Sequence, residues 1–282
     1  MIRLVKTWLT HPLTRGLNIN DPRTTFLRRR ILREKKFLRL IYDEWYRSVA
    51  EGLPPGNGPV LEIGTGAGFL DDYIVDLITS DIFPWPHIRI VLNSMEMPMS
   101  NGALRSIVMI DVLHHIPNVR QFLVEAARCI QPGGAIIVIE PWVTLWSRLI
   151  YSRFHDEPFE TGAGDWHFET TGPLSAANGA LPWIIFARDR EQFEREFPMW
   201  QIKSIKPIMP FRYLLSGGMS MRSLMPGWCF GGWRFLESLL QPWMDSWAMF
   251  ARIVLVKRGA LEAGKDLAFI HATSSDRETA SP

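Results

Sequence analysis

Glu62, Asp81 and Asp111 each close an apolar run, and His114 and His115 follow the last of them within one turn of chain. A carboxylate at the end of a buried strand is costly unless donors or positive charge meet it. Three such acids therefore mark a rim where a polar ligand is held. Gly64, Thr65, Gly66, Ala67 and Gly68 follow the first acid. Glycines at that spacing let the backbone take positive φ or approach a ligand closely. If a helix begins there, its free N–H groups face an anion. Histidine is the commonest general base near neutral pH, so His114 and His115 add the means to remove a proton.

The elements that must position these residues can be read in order. Residues 1–24 read as an irregular arm broken by Pro12, Gly16 and Pro22. Thr24 or Thr25 can cap one long helix running to about Glu51, with Phe26, Leu27, Ile31, Leu32, Phe37, Leu38, Ile41 and Trp45 as its apolar stripe. After Gly52 and Pro54-Pro55-Gly56, a first strand runs into the glycine turn. A helix over 70–78 follows, then strands around 77–82, 87–92 and 106–110, a helix over 121–130, a turn at Pro132-Gly133-Gly134 and a strand over 135–139 ending in Glu140. A short helix over 189–197 and strands over 200–208 and 249–257 complete the pattern. Strands alternating with helices predict an α/β fold with a mostly parallel sheet. Ligands in such sheets bind outside the carboxyl ends of the strands, where Glu62, Asp81, Asn93 and Asp111 gather.

The glycine spacing separates two classes of nucleotide site. A dinucleotide fingerprint, G-x-G-x-x-G, would need glycine at Phe69 if it began at Gly64. The glycines instead fall at i, i+2 and i+4, with Glu62 two residues ahead. This pattern resembles motif I of the class I S-adenosylmethionine-dependent methyltransferases, E-x-G-x-G-x-G. Asn93-Ser94-Met95-Glu96-Met97-Pro98 resembles that family's acid-Ala-x-x-Leu-Pro segment. The run from Ile107 through Asp111, His114 and His115 to Pro117 resembles its fourth motif, and the stretch from Ala126 to Gly134 its post-motif helix and turn. The likeness covers about residues 56–141 in the correct order and is nearest to the methyltransferase type 11 group.

The resemblance implies a Rossmann-like, seven-stranded sheet, mostly parallel with an antiparallel last strand, flanked by an N-terminal helix and substrate-capping insertions. It implies S-adenosyl-L-methionine as cofactor. Gly64, Thr65, Gly66 and Gly68 would lie under the methionine part, with Glu62 organising the amino-acid end. Asp81 corresponds to the acid on the ribose hydroxyls, since a carboxylate can accept from both. Asn93 stands where the family usually has Asp against the adenine amino group, and its amide oxygen can still accept. Ser94 belongs to the same segment, and Met95 can pack on the adenine face. Asp111 would sit near the methionine amino group or the reaction centre.

His114 and His115 are the candidate catalytic bases for an oxygen or nitrogen acceptor. Two other readings stand beside that one. The turn can simply pack against the cofactor, or Asp111, His114 and His115 at i, i+3, i+4 can share one helical face and hold a divalent cation, as a related motif does in some quinone-pathway methyltransferases. No metal is assigned.

Composition narrows the partners. Of the net +2, residues 1–47 hold twelve Lys/Arg against four acids, so the remainder is acidic overall. Such a basic head can meet anionic lipid, nucleic acid or an acidic substrate, or be a solvated helix face. Cys129 and Cys229 form no disulfide framework, which favours a reducing compartment. The apolar patch Val5–Leu9 lacks a full signal-peptide core, and no run approaches the roughly 20 apolar residues of a spanning helix. A cytoplasmic protein is expected, with peripheral membrane contact through the basic helix and the Trp/Met-rich segment as the second reading.

The sequence is divided into an arm and basic helix (1–55), a methyltransferase domain (56–258) with acceptor-side insertions at 141–187 and 209–247, and a polar tail (259–282). His155, Asp156 and His167 lie where the family builds its acceptor pocket. Trp228, Trp233, Trp243 and Trp247, beside Met219, Met221, Met225, Met244 and Met249, could line an apolar pocket or meet a membrane interface. The expected function is methyl transfer to a small-molecule or lipid-like acceptor, O- or other heteroatom methylation first. The alternatives are an inactive methyltransferase-fold binding protein and a nucleic-acid methyltransferase. The latter is disfavoured because residues 107–117 lack the Asn/Asp-Pro-Pro-aromatic motif of base-methylating enzymes.

Overall fold

Seven strands form one sheet in the order β3-β2-β1-β4-β5-β7-β6 in a computed structural model, which describes residues 10–12, 23–154, 157–170, 172 and 177–259. The strands are β1 (Val60–Ile63), β2 (Leu77–Asp81), β3 (Ile90–Val91), β4 (Leu104–Ile110), β5 (Ile130–Pro141), β6 (Trp200–Ile208) and β7 (Phe250–Lys257). The first five run parallel, and β7 inserts antiparallel between β5 and β6. This is the expected Rossmann-like methyltransferase sheet with its antiparallel last strand. Among the described residues the α-helices of four residues or more are α1 (Arg23–Glu34), α2 (Lys36–Glu51), α3 (Val119–Cys129), α4 (Leu145–Phe154), α5 (Arg190–Glu196), α6 (Arg212–Ser216), α7 (Phe230–Leu239) and α8 (Met244–Trp247).

The sheet is apolar on both faces, as a parallel sheet covered on both sides must be. On one face Leu61, Ile63, Ile107, Met109, Ile136 and Val138 meet Phe122 and Leu123 of α3. On the other, Val60, Val108, Ile137, Ile139 and Val254 meet Leu38, Ile41, Trp45 and Val49 of α2. The N-terminal stripe is thus half of the core, not an appendage.

Several boundaries differ from expectation for identifiable reasons. The helix expected over 70–78 does not form; only a 3₁₀ turn, Leu70–Asp72, separates the glycines from β2. Leu70, Ile74, Leu77 and Ile78 have helical spacing, but the last two belong to β2, which leaves too little chain for a helix. The single N-terminal helix is two, divided at Lys35 (φ −84°, ψ 84°). There the buried Nζ donates to Gly218 O and Met221 O, at 2.5 and 2.8 Å. The third strand shrinks to Ile90–Val91. The expected turn at Pro132-Gly133-Gly134 is instead an irregularity within β5, where the register with β4 shifts. A Cβ on Gly134 would lie 2.4 Å from Arg105 O. Among the described residues no helix is long and apolar enough to cross a membrane. The Val5–Leu9 patch and most of the 259–282 tail lie outside them.

Candidate functional site

The carboxyl ends of β1, β2 and β4 open onto a cavity of about 560 Å³ lined by Gly64, Gly66, Asp81, Asn93, Met95 and Asp111, among others. Gly64 (φ 70°) and Gly66 (φ 52°) turn the chain out of β1 in the left-handed region. A Cβ on Gly64 would also lie 2.6 Å from Val112 Cγ2, so both dihedral and space demand glycine. Gly66 N donates to Asp81 Oδ2 at 3.0 Å and Phe83 N to Asp81 Oδ1 at 3.1 Å, which fixes that carboxyl on the rim. Burial raises the Asp81 pKa, and the backbone N–H donors partly offset the shift. Asn93 Oδ1 accepts from Met95 N at 3.0 Å and shapes the turn that carries Ser94 to the cavity wall.

Glu62 is placed elsewhere. Alternation along β1 turns it with Val60 toward α2, where it is buried and accepts from Thr65 Oγ1 at 2.7 Å. Burial pushes its pKa up to about 8. Neither Glu62, Thr65 nor Gly68 is among the cavity-lining residues. Thr65 instead ties the turn to β2 by donating its N–H to Ser80 O at 2.9 Å. A Cβ on Gly68 would meet the Tyr46 hydroxyl at 2.5 Å, so this glycine admits α2 close to the turn. These three residues hold the glycine turn from behind.

A second cavity, of about 200 Å³, adjoins the first. Arg28, Asp111 and His115 line both. Its other walls include Ile150, Tyr151 and Phe154 of α4, Tyr213 and Leu214 of α6, and the methionines Met219, Met221 and Met249. Asp111 sits at the junction with φ 61°, a conformation rare for a residue with a side chain. Its N–H donates to Ile139 O at 2.8 Å. Burial pushes its carboxyl up to about 7; His114 opposes the shift, and Glu140 and Glu157 add to it.

The two histidines have different surroundings. His114 is buried behind the cavities, with Nδ1 2.6 Å from Glu140 Oε2 and Nε2 3.5 Å from Glu157 Oε2. Glu140 Oε1 accepts from Val112 N and Leu113 N, at 2.8 and 2.7 Å, so this carboxylate fixes the whole turn. Burial disfavours the His114 imidazolium, but Glu140, Glu157 and Asp111 outweigh it and hold the pKa well above its ordinary value. His115 faces both cavities, with Nε2 3.9 Å from Glu157 Oε1. His114, His115 and Glu157 bring donor atoms within 4.8 Å of one another, so Glu157 stands where the sequence spacing had suggested Asp111. Both nitrogens of His114 already face carboxylates, and its raised pKa works against a metal-ligand role.

Other expected contributors separate. His167 lines a shallow groove with Met95 and Gln121, apart from the second cavity. His155 and Asp156 lie outside the described residues. Trp228, Trp233, Trp243 and Trp247 do not line the second cavity. Trp233 packs on Phe211, and Trp228 is 85% exposed. Sequence reading gave no role to Arg28, Tyr151 or Tyr213. Glu140 carried the same signal as Glu62, an acid closing an apolar strand, and so could have been found.

A family model described as a methyltransferase domain matches residues 31–179. No curated protein matches the chain. Among solved structures, the chain is similar to an S-adenosylmethionine-dependent methyltransferase of Thermotoga maritima, with 13% identity and a TM-score of 0.49, over 83% of this chain and 99% of that one. It is also similar to geranyl diphosphate C-methyltransferase of Streptomyces coelicolor A3(2), with 12% identity and a TM-score of 0.47, over 89% of this chain and 90% of that one.

Proposed function

This chain belongs to the methyltransferase-domain family and is a class I S-adenosylmethionine-dependent methyltransferase; from that premise we propose that it methylates an apolar small-molecule or lipid-like acceptor at a heteroatom, oxygen first. The observation that carries the reading is the pair of adjoining cavities that share Arg28, Asp111 and His115. One has the residues to hold the cofactor and the other the walls to hold an apolar acceptor.

The larger cavity fits the cofactor on three counts. The positive-φ Gly64 and Gly66 leave the backbone bare at its edge. The Asp81 carboxyl on the rim can accept from two vicinal hydroxyls. Asn93, Ser94 and Met95 would border the adenine, with a polar edge and a polarisable face. Glu62, Thr65 and Gly68 would act by shaping the turn. The bound cofactor supplies an already activated methyl group, so the protein's main contribution is to align the acceptor.

The chain's own chemistry is then positioning and proton removal. Tyr151, Tyr213, Leu214 and the methionines enclose the acceptor's apolar body. His115 at the junction takes the acceptor proton, with Glu157 beside it to stabilise the imidazolium that forms. Asp111, held near neutrality in its proton affinity, is the second candidate acceptor of that proton. His114, held as a cation between Glu140 and Glu157, positions the turn instead of acting as a base. An inactive binding protein would not need a carboxyl held at about 7 beside a histidine where two cavities meet, and a 200 Å³ cavity walled in part by methionine does not suit a nucleic-acid base and its backbone. The cytoplasm, which supplies the cofactor, is the fitting compartment.

Incubation of the protein with methyl-labelled S-adenosylmethionine and host extracts tests this reading. Label is expected in the organic-solvent extract and not in the aqueous one. Label confined to nucleic acid or protein would contradict it.

A further inference from the structure

Helix α7 turns a buried carboxylate inward with Phe230 and leaves apolar side chains outside. Its buried side carries Glu237, whose carboxylate accepts from Arg212 Nε at 2.5 Å and from the backbone N–H groups of Phe211 and Arg212 at 2.9 and 2.7 Å. Its outer side carries Phe235, Leu236 and Leu239, exposed by 63%, 49% and 56%. Trp228, in the 3₁₀ turn Gly227–Cys229 just before the helix, is exposed as well. A globular helix normally turns such a stripe inward. Here the ion pair lies inside with Phe230, and among the described residues the apolar stripe is left exposed.

The stripe continues onto neighbouring elements. Trp243 and Trp247 follow in the chain, exposed by 58% and 39%, and Trp247 packs its ring 5.6 Å from Trp146 of α4. Leu145 and Leu149 of α4 add two more exposed apolar side chains. Scattered exposed hydrophobics are ordinary, but a run over three packed helices is not.

Charge indicates what covers it. On α4 and residues 222–247 the exposed charged residues are Arg148, Arg153, Arg222 and Arg234 against Asp245 alone. Exposed Lys36 borders the Trp228 end, its stem lying within 3 Å of where a Cβ on Gly227 would sit. Exposed tryptophan, leucine and phenylalanine on segments whose exposed charges are mostly arginine match the headgroup zone of an anionic bilayer, which takes apolar side chains at shallow depth and attracts cations.

We propose that α4, α7 and α8 form a face that docks on an anionic phospholipid bilayer. Helix α4 connects this face to the acceptor cavity, since Leu145 and Leu149 point outward while Ile150, Tyr151 and Phe154 line the cavity. The docking stands on exposure and charge alone and goes beyond the methyl-transfer reading.

Vesicle co-sedimentation of the full chain tests it, with phosphatidylcholine vesicles compared to phosphatidylcholine–phosphatidylglycerol vesicles. The wild type is expected to sediment with the anionic vesicles, less with the neutral ones and less at high salt. Leu236→Ser/Leu239→Ser/Trp243→Ser changes only exposed side chains and should lower the apparent partition constant by about tenfold or more. Arg148→Glu/Arg234→Glu should lower it selectively for anionic vesicles. Circular dichroism and cofactor affinity should be unchanged in both variants. Absence of wild-type sedimentation, or equal sedimentation of the triple variant, would overturn the proposal. A dimer in light scattering that the triple variant disperses, without vesicle binding, would overturn it in favour of a second copy of the chain.

Discussion

Burial sets the proton affinity of two carboxyls that the sequence places at strand ends. Glu62 is held up at about 8 and Asp111 at about 7, against ordinary values of 4.5 and 3.8. Over those intervals the folded protein keeps protons that the unfolded chain releases. The stability this contributes is complete below the unfolded values and is lost as pH rises through the folded ones. Thermal unfolding of the ligand-free protein should therefore show Tm falling between pH 4.5 and 8. Glu62→Gln should flatten part of that decline; an undiminished slope would show that Glu62 is not the group. At the junction, His115→Ala should lower kcat by about a hundredfold or more with cofactor Kd unchanged. Matched losses in kcat and cofactor affinity would assign His115 to cofactor binding instead. The positions of Asp81 and Gly64 at the ends of strands bordering the cavity were legible in the sequence. The split between His114 and His115 was not, because it depends on Glu140 and Glu157, which lie 26 and 42 residues beyond the histidines' turn in the chain.

Elements decide what spacing leaves open. The stripe Leu70, Ile74, Leu77, Ile78 fits a helix by period, but β2 claims its last two members, and Tyr46 of α2 reaches in to accept from Phe69 N at 3.2 Å. The N-terminal helix thereby supports the glycine turn from behind. The tryptophans of residues 228–247 were ambiguous because an exposed apolar stripe and a buried one have the same period; only the inward Glu237 separates them. That inward face gives a prediction. Arg212 is buried between Glu237 and Glu44, with Nη1 2.6 Å from Glu44 Oε2. Arg212→Ala should destabilise the protein by about 3–5 kcal/mol, because Glu237 is left charged and buried. Arg212→Met/Glu237→Leu should recover most of the loss in denaturant unfolding. Equal losses in the single and double variants would mean that packing, not charge, governs the site.

At the scale of the whole molecule, the alternation of strands and helices made the sheet and its acidic rim legible, since period and turn chemistry are local properties. The antiparallel last strand followed only from the family likeness, and its insertion between β5 and β6 was not read from the sequence. The second cavity was not legible, because it is assembled from α1, α4, α6 and the methionines of residues 219–249. Its separateness from the first cavity is the central claim, and calorimetric titration of S-adenosylmethionine into wild type, Asp81→Ala and Leu214→Trp tests it most directly. Asp81→Ala should weaken binding by about tenfold or more, from loss of hydrogen bonds to a charged group. Leu214→Trp, at a residue that lines only the second cavity, should bind the cofactor as the wild type does while losing methyl transfer. Wild-type affinity in Asp81→Ala together with lost affinity in Leu214→Trp would contradict the account.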